Sequence, residues 1–116
     1  MFQKARASYL AAAVAGCLAV LNPSNAAIVT ATGTVSVIIT YANFGNGDFA
    51  FRVSNPVAGC YGFWLSPSQP GFKTTVAFIM KAHASGDSIL VGADDGQIWS
   101  GSGSPWCKVD YVGTPY

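Results

Sequence analysis

Phe72, Val76, Ile79, Met80 and His83 fall at i, i+4, i+7, i+8 and i+11, one stripe of a 3.6-residue period. They predict a single helix in a chain whose other apolar stretches favour strands. Ser68 is placed to cap the helix, and Pro70 suits a first turn, where its missing N–H costs nothing. Ser85-Gly86 is the matching stop, because glycine takes the left-handed position after a last turn.

On either side of this helix the period is two. From Gly33 to Tyr41 the residues Val35, Val37, Ile39 and Tyr41 share one face and Thr34, Ser36 and Thr40 the other, a half-buried strand. "NFGNGD", Asn43 to Asp48, is a turn of residues that tolerate positive φ. Phe49, Phe51 and Val53 then alternate as a second strand, ended by Asn55-Pro56, and Tyr61 to Leu65 forms a third. After the helix come Ser88 to Val91, a polar turn at Asp94-Asp95-Gly96, a short strand at Ile98-Trp99, a mobile "SGSGSP" connection and a closing strand from Trp106 to Val112.

The residues before this array form a separate segment. Lys4 and Arg6 precede the charge-free apolar stretch Ala7 to Leu21, and Ser24-Asn25-Ala26 supplies small residues where a signal peptidase reads. Residues 1–26 are therefore expected to be a secretory signal peptide cut after Ala26, with a single domain over 27–116, secreted or periplasmic. Fifteen apolar residues are too few to favour a membrane span. Val14-Ala15-Gly16-Cys17 also fits a lipobox, which would instead anchor the domain to a membrane through an acylated Cys17. The run staying apolar through Leu18, Val20 and Leu21 argues against that alternative.

A domain of about 90 residues carries a marginal core without a covalent staple. Cys60 and Cys107 remain after cleavage, and in an oxidising compartment they are expected to pair. The order strand, strand, strand, helix, strand, strand predicts a mainly β (α+β) fold. In this length it matches the five-stranded Greek-key barrel of the OB-fold, with the helix between strands three and four. A generic α+β roll is the alternative, and the barrel is favoured over it because closure removes the edges of a small sheet.

At "FWLSPSQPGFK" and "AHASGDSILV" the chain resembles the B subunits of subtilase-type AB toxins, through Trp64, Pro70, Phe72, Lys73, Ser85, Gly86, Ile89 and Val91. The likeness covers about 30 residues. It implies an OB-fold subunit that assembles into a ring of five, accompanies a toxin-like A subunit and binds glycans. Those subunits recognise sugar through a serine and acidic groups near the first strand. Here that strand offers only Thr34, Ser36 and Thr40 with no acid beside them, so no sugar site is carried across.

The charged residues narrow the chemistry. Without the leader, four basic residues face five aspartates, and glutamate is absent. Such a chain has no electrostatic attraction for phosphate backbones, so nucleic acid is not an expected partner. His83, the lone histidine, is expected to pack at the core edge near the helix end. The missing glutamates and turn-bound aspartates leave no carboxylate pair for glycoside hydrolysis. Two cysteines and one histidine do not make a zinc site, Asp94-Asp95-Gly96 offers too few oxygens for calcium, and Gly101-Ser102-Gly103-Ser104 lacks the lysine of a phosphate loop. No catalytic residue, metal or cofactor is expected.

What remains is aromatic. Thirteen of the fifteen aromatic residues follow residue 26. Trp99, Ser100 and Trp106 fall beside the loop where an OB-fold carries its ligand, with Trp64 and Tyr41 as neighbours. Rings with hydroxyls at a loop rim suit a glycan, and they suit a protein neighbour in a ring of subunits. The sequence thus points to an exported, non-enzymatic binding module. The alternative is a small structural or inhibitory protein that makes protein contacts alone.

Overall fold

A computed structural model describes residues 27–115. The expected signal segment, its expected cut after Ala26 and the alternative lipobox cysteine Cys17 fall at or before residue 26, outside the described residues. The elements are β1 (Ile28–Thr40), a 3-10 turn (Phe44–Asn46), β2 (Phe49–Val53), β3 (Gly62–Leu65), α1 (Phe72–Ser85), β4 (Ser88–Ile98) and β5 (Trp106–Gly113). The five strands close into a barrel in the order β1-β2-β3-β5-β4, and α1 lies between β3 and β4 in the chain. All pairings are antiparallel except β3 with β5, so the sheet is mixed.

The first strand departs from the expected alternation. It starts at Ile28, and its partners slip from Val35↔Val53 to Val37↔Arg52, making Ser36 the extra residue of a β-bulge. A one-residue slip exchanges the faces of everything beyond it. Ala31 and Val35 point into the barrel, Ile38 takes over the inward position, and Val37, Ile39 and Tyr41 turn to the outside. Clean period-two spacing cannot reveal this, because the bulge residue is itself a polar member of the pattern.

Phe49, Phe51, Val53, Phe63, Leu65, Ile89, Val91 and Val109 fill the interior. Each fully buried apolar side chain of this size stabilises the fold by roughly 1.5–3 kcal/mol. Helix α1 packs on β1, β4 and β5, with Ile79 and Ala82 buried and Phe72, Val76 and Phe78 partly so. Two members of the predicted stripe do not join them. Met80 is 46% exposed, and His83 is exposed with Nδ1 at 3.1 Å from the Val35 carbonyl oxygen, where its Nδ1–H tautomer donates. The histidine thus serves the backbone just before the bulge.

The helix start also differs from expectation. Its N-cap is Gly71, with no side-chain cap, and Pro70 precedes the first turn. Ser68 pairs with the Ser66 hydroxyl instead, at 2.8 Å. Gln69 accepts the Ser66 N–H and donates to the Val109 carbonyl, tying the connection to β5. At the far end Gly86, at φ 74°, closes α1 as expected. Asp94-Asp95-Gly96, expected as a turn between two strands, is an excursion inside one strand: β4 pairs through Asp94↔Lys108 and resumes at Ile98↔Cys107.

Cys60 and Cys107 form a disulfide with Cα atoms 5.5 Å apart, the kind of bond that persists in an oxidising compartment. It fastens the segment entering β3 to β5, beside a parallel pairing of three register pairs. No helix among the described residues is long and apolar enough to cross a membrane. Replacing both cysteines by serine should lower the unfolding free energy by about 2–4 kcal/mol in urea denaturation. An unchanged midpoint would show that the staple is dispensable.

Candidate functional site

Outside the barrel, the bulge in β1 builds a second apolar cluster. One register row crosses the outer face: Ile39 beside Ala50, Ala50 beside Trp64, Trp64 beside Lys108 and Lys108 beside Asp94. Ala50 of this row is buried together with Trp99 and Trp106, with Ile39, Tyr41 and Trp64 packed around them. Gly62 leaves the space Trp106 needs, since a Cβ there would come within 2.4 Å of the ring. The rings form a connected series. Phe44 meets Trp99 edge-on at 5.5 Å, Tyr41 meets Trp99 at 5.3 Å, Trp99 meets Trp106 at 6.0 Å, and Trp106 meets Tyr61 at 5.5 Å. Each such pair is worth about 0.5–1.5 kcal/mol beyond its area burial.

One buried polar contact holds the series in place. Asp48, 5% exposed, accepts the Trp99 indole N–H at 2.9 Å. The aspartate ends the β1–β2 loop and the tryptophan begins the β4–β5 loop, so the bond joins the two loops at one end of the barrel. Residues 43–48 support the carboxylate by turning tightly: Gly47 and Asp48 both donate to the Phe44 carbonyl. Gly45 sits at φ 63°, where any side chain would be strained and a Cβ would collide with Asp48.

The predicted site residues are thus brought together, but not as open stacking faces. Trp99 and Trp106 are 4% and 6% exposed, buried by one another and by Tyr41, Phe44 and Tyr61. Ser100 is exposed next to Trp99, while Tyr41 and Trp64 are half-buried. Trp64 donates its indole N–H to the Gln97 carbonyl at 3.1 Å and lies 5.3 Å from Lys108 Nζ. The Trp106 indole N–H is buried without an acceptor among the described residues.

The exposed rings belong to residues that sequence reasoning left as turn and strand positions. Phe44 is 44% and Tyr61 45% exposed, and the Arg52 guanidinium lies 3.9 Å over the Tyr61 ring while its Nε donates to the Tyr61 carbonyl at 2.8 Å. Strand alternation put Ala50 and Arg52 on one face, which was the available signal for Arg52. Nothing in the spacing marks Asp48 as the partner of a tryptophan 51 residues away. A concavity of about 270 Å³ lies elsewhere, between the start of α1 and β5, lined by Leu65, Gln69, Thr75, Val109 and Asp110. It contains none of the aromatic series.

Beside Trp64 the β4 excursion is cinched by Asp94, whose carboxylate accepts from the Gly96 N–H at 2.8 Å and from the Gln97 side chain at 2.7 Å. The Gln97 hydrogen bond first, then the Gly96 N–H and the Lys108 charge, hold Asp94 below its ordinary carboxylate value of 3.8. Among the described residues no three His, Cys, Asp or Glu side chains gather as a metal-binding group. No protein-family model matches this chain, and neither a curated protein nor a solved structure matches it significantly.

Two outcomes follow from this geometry. Trp99→Phe leaves a buried carboxylate without its donor and should cost about 1–3 kcal/mol beyond lost packing, whereas Trp106→Phe strands no acceptor. Urea denaturation should rank Trp99→Phe as the more damaging change, and equal losses would contradict the assigned bond. A carboxyl lowered on folding adds stability that is present above its unfolded value and lost as pH falls through the folded one. The acid limb of a stability–pH curve, below about pH 4, should therefore flatten in Asp94→Asn.

Proposed function

We propose that this chain is an exported, non-enzymatic binding module of the OB-fold type, similar to toxin B subunits, processed after Ala26 and recognising a glycan. The strand order β1-β2-β3-β5-β4, with α1 between β3 and β4, supports the OB-fold assignment. In that fold the outer face of strands two and three, with the loops β1–β2 and β4–β5, takes oligosaccharides and oligonucleotides. The net negative charge of the domain favours the former.

The observation that carries this reading is the grouping of one exposed and one half-buried ring with cationic donors on that face. Tyr61 is covered by Arg52, and Trp64 is flanked by Lys108. A sugar stacks its C–H face on an aromatic ring and needs hydrogen-bond donors nearby for its hydroxyls. Phe44 extends the apolar surface towards the β1–β2 loop. The non-catalytic part of the reading is supported by His83, which is committed to the Val35 carbonyl, and by Asp48 and Asp94, which are committed to structural hydrogen bonds.

Buried Trp99 is the wrong residue with which to test recognition, because its loss disturbs the loops. The test is a glycan array on the exported protein, with Tyr61→Ala and Trp64→Ala beside it. At least one glycan class should bind, and either substitution should weaken it about tenfold or more, as truncation of an aromatic anchor does. A stable monomer by light scattering that binds no glycan would contradict the proposal and favour a protein that makes only protein contacts.

A further inference from the structure

The residue that cleavage after Ala26 would make the first of the mature chain, Ala27, is fixed at both of its backbone polar groups. Its N–H donates to Asp95 Oδ1 at 3.0 Å, and its carbonyl accepts the Asp95 N–H at 3.0 Å. It stands one residue before Ile28, which pairs with Asp94 at the end of the β1–β4 ladder. The acceptor is well defined. Both oxygens of Asp94 are engaged within the β4 excursion, by Gly96 and by Gln97, so the neighbouring Asp95 supplies the carboxylate that meets Ala27.

We propose that processing after Ala26 creates an ion pair that the precursor lacks, between the new α-ammonium of Ala27 and the Asp95 carboxylate, closing the β1–β4 seam. The inference rests on the export reading given above. A signal peptidase adds water across the Ala26–Ala27 peptide bond, leaving a carboxylate on the leader and an amine on Ala27. An α-amino group ordinarily titrates near 7.7–8.0, so at neutral pH most of it takes up a proton as ammonium. The nitrogen already within hydrogen-bond distance of Asp95 then changes from a neutral amide to a cation. The contact becomes a charge-assisted hydrogen bond of the stronger class.

The charges around this corner allow the pairing. Residues Ile28–Thr40 of β1 carry no ionisable side chain. β4 presents Asp94 and Asp95, and β5 presents Lys108, which stands opposite Asp94 in register. The ammonium therefore enters beside two carboxylates and one lysine. Cutting at Cys17 instead would leave residue 26 attached, and Ala27 would keep a neutral N–H. The mature N-terminus is in this way a structural group of the barrel as well as the product of processing.

The sign of the pH dependence follows. A cation whose pKa is raised on folding contributes stability that is full below its unfolded value and is lost as pH rises through the folded one. The stabilisation is thus present at pH 6 and fades from about pH 8 upward.

The test begins with mass spectrometry of the exported protein, which should start at Ala27. That form is compared with the same domain carrying one additional residue, Ala26, which keeps the amide and moves the ammonium away by one residue. At pH 6 the form beginning at Ala27 should melt about 2–5 °C higher, the span expected of one partly exposed ion pair in a domain this small. The gap should close above about pH 10 and be absent when both forms carry Asp95→Asn. An N-terminus at Cys17 would overturn the processing on which the inference rests. An N-terminus at Ala27 with equal melting at pH 6 would overturn the ion pair and leave the export reading standing.

Discussion

The hydrogen bond from the Trp99 indole to the buried Asp48 carboxylate links the two loops at one end of the barrel, across 51 residues of chain. A carboxylate taken out of water is unfavourable unless a donor replaces the lost solvation. The indole supplies it, and in doing so orders both loops at once. Tyr41 and Phe44 of the first loop then pack on the Trp99 ring, which in turn abuts Trp106. The outer aromatic cluster is consequently a second small core with a polar pin at its centre. The left-handed turn at Gly45 leaves the carboxylate the room a side chain would take.

The bulge at Ser36 makes that second core possible. With unbroken alternation, Ile39 and Tyr41 would share the inward face of Val35, and the outer cluster would lose one wall. One inserted residue lets a single strand serve two packing surfaces: Ala31, Val35 and Ile38 inside, Ile39 and Tyr41 outside. The disulfide fixes the other border of the same surface, where β5 meets the segment entering β3. A surface bounded in this way holds Tyr61 and Trp64 in fixed orientations beside Arg52 and Lys108. Ordered rings with adjacent donors lose little entropy when a ligand stacks on them, which suits the proposed recognition role.

Local signals in the sequence carried much of the fold. Alternation marked β2 and β3, Ser85-Gly86 marked the end of α1, and two cysteines expected to meet an oxidising compartment implied their pairing. Features set by distant partners were not legible. Met80 and His83 fit the helical period but lie outside the covered stripe, because the barrel touches a narrower face of α1 than the periodicity suggests. The continuous β4 was hidden by Asp94-Asp95-Gly96, whose composition suits a turn and equally suits a bulge. At the candidate site, tryptophans near a loop rim were legible as a cluster, but their burial was not. Trp99 is covered through Asp48 and Tyr41, and Trp106 through a glycine cleft at Gly62, none of which spacing encodes.

The coupling between Asp48 and Trp99 holds the loops beside the aromatic face. A double-mutant cycle measures it directly, with Asp48→Ala, Trp99→Phe and the pair compared by urea denaturation. The two changes together should cost less than the sum of the singles, by about 1–3 kcal/mol, because each alone strands the other's polar group. Additive losses would show that the loops are held by ring packing alone, with no coupling through the Asp48–Trp99 bond.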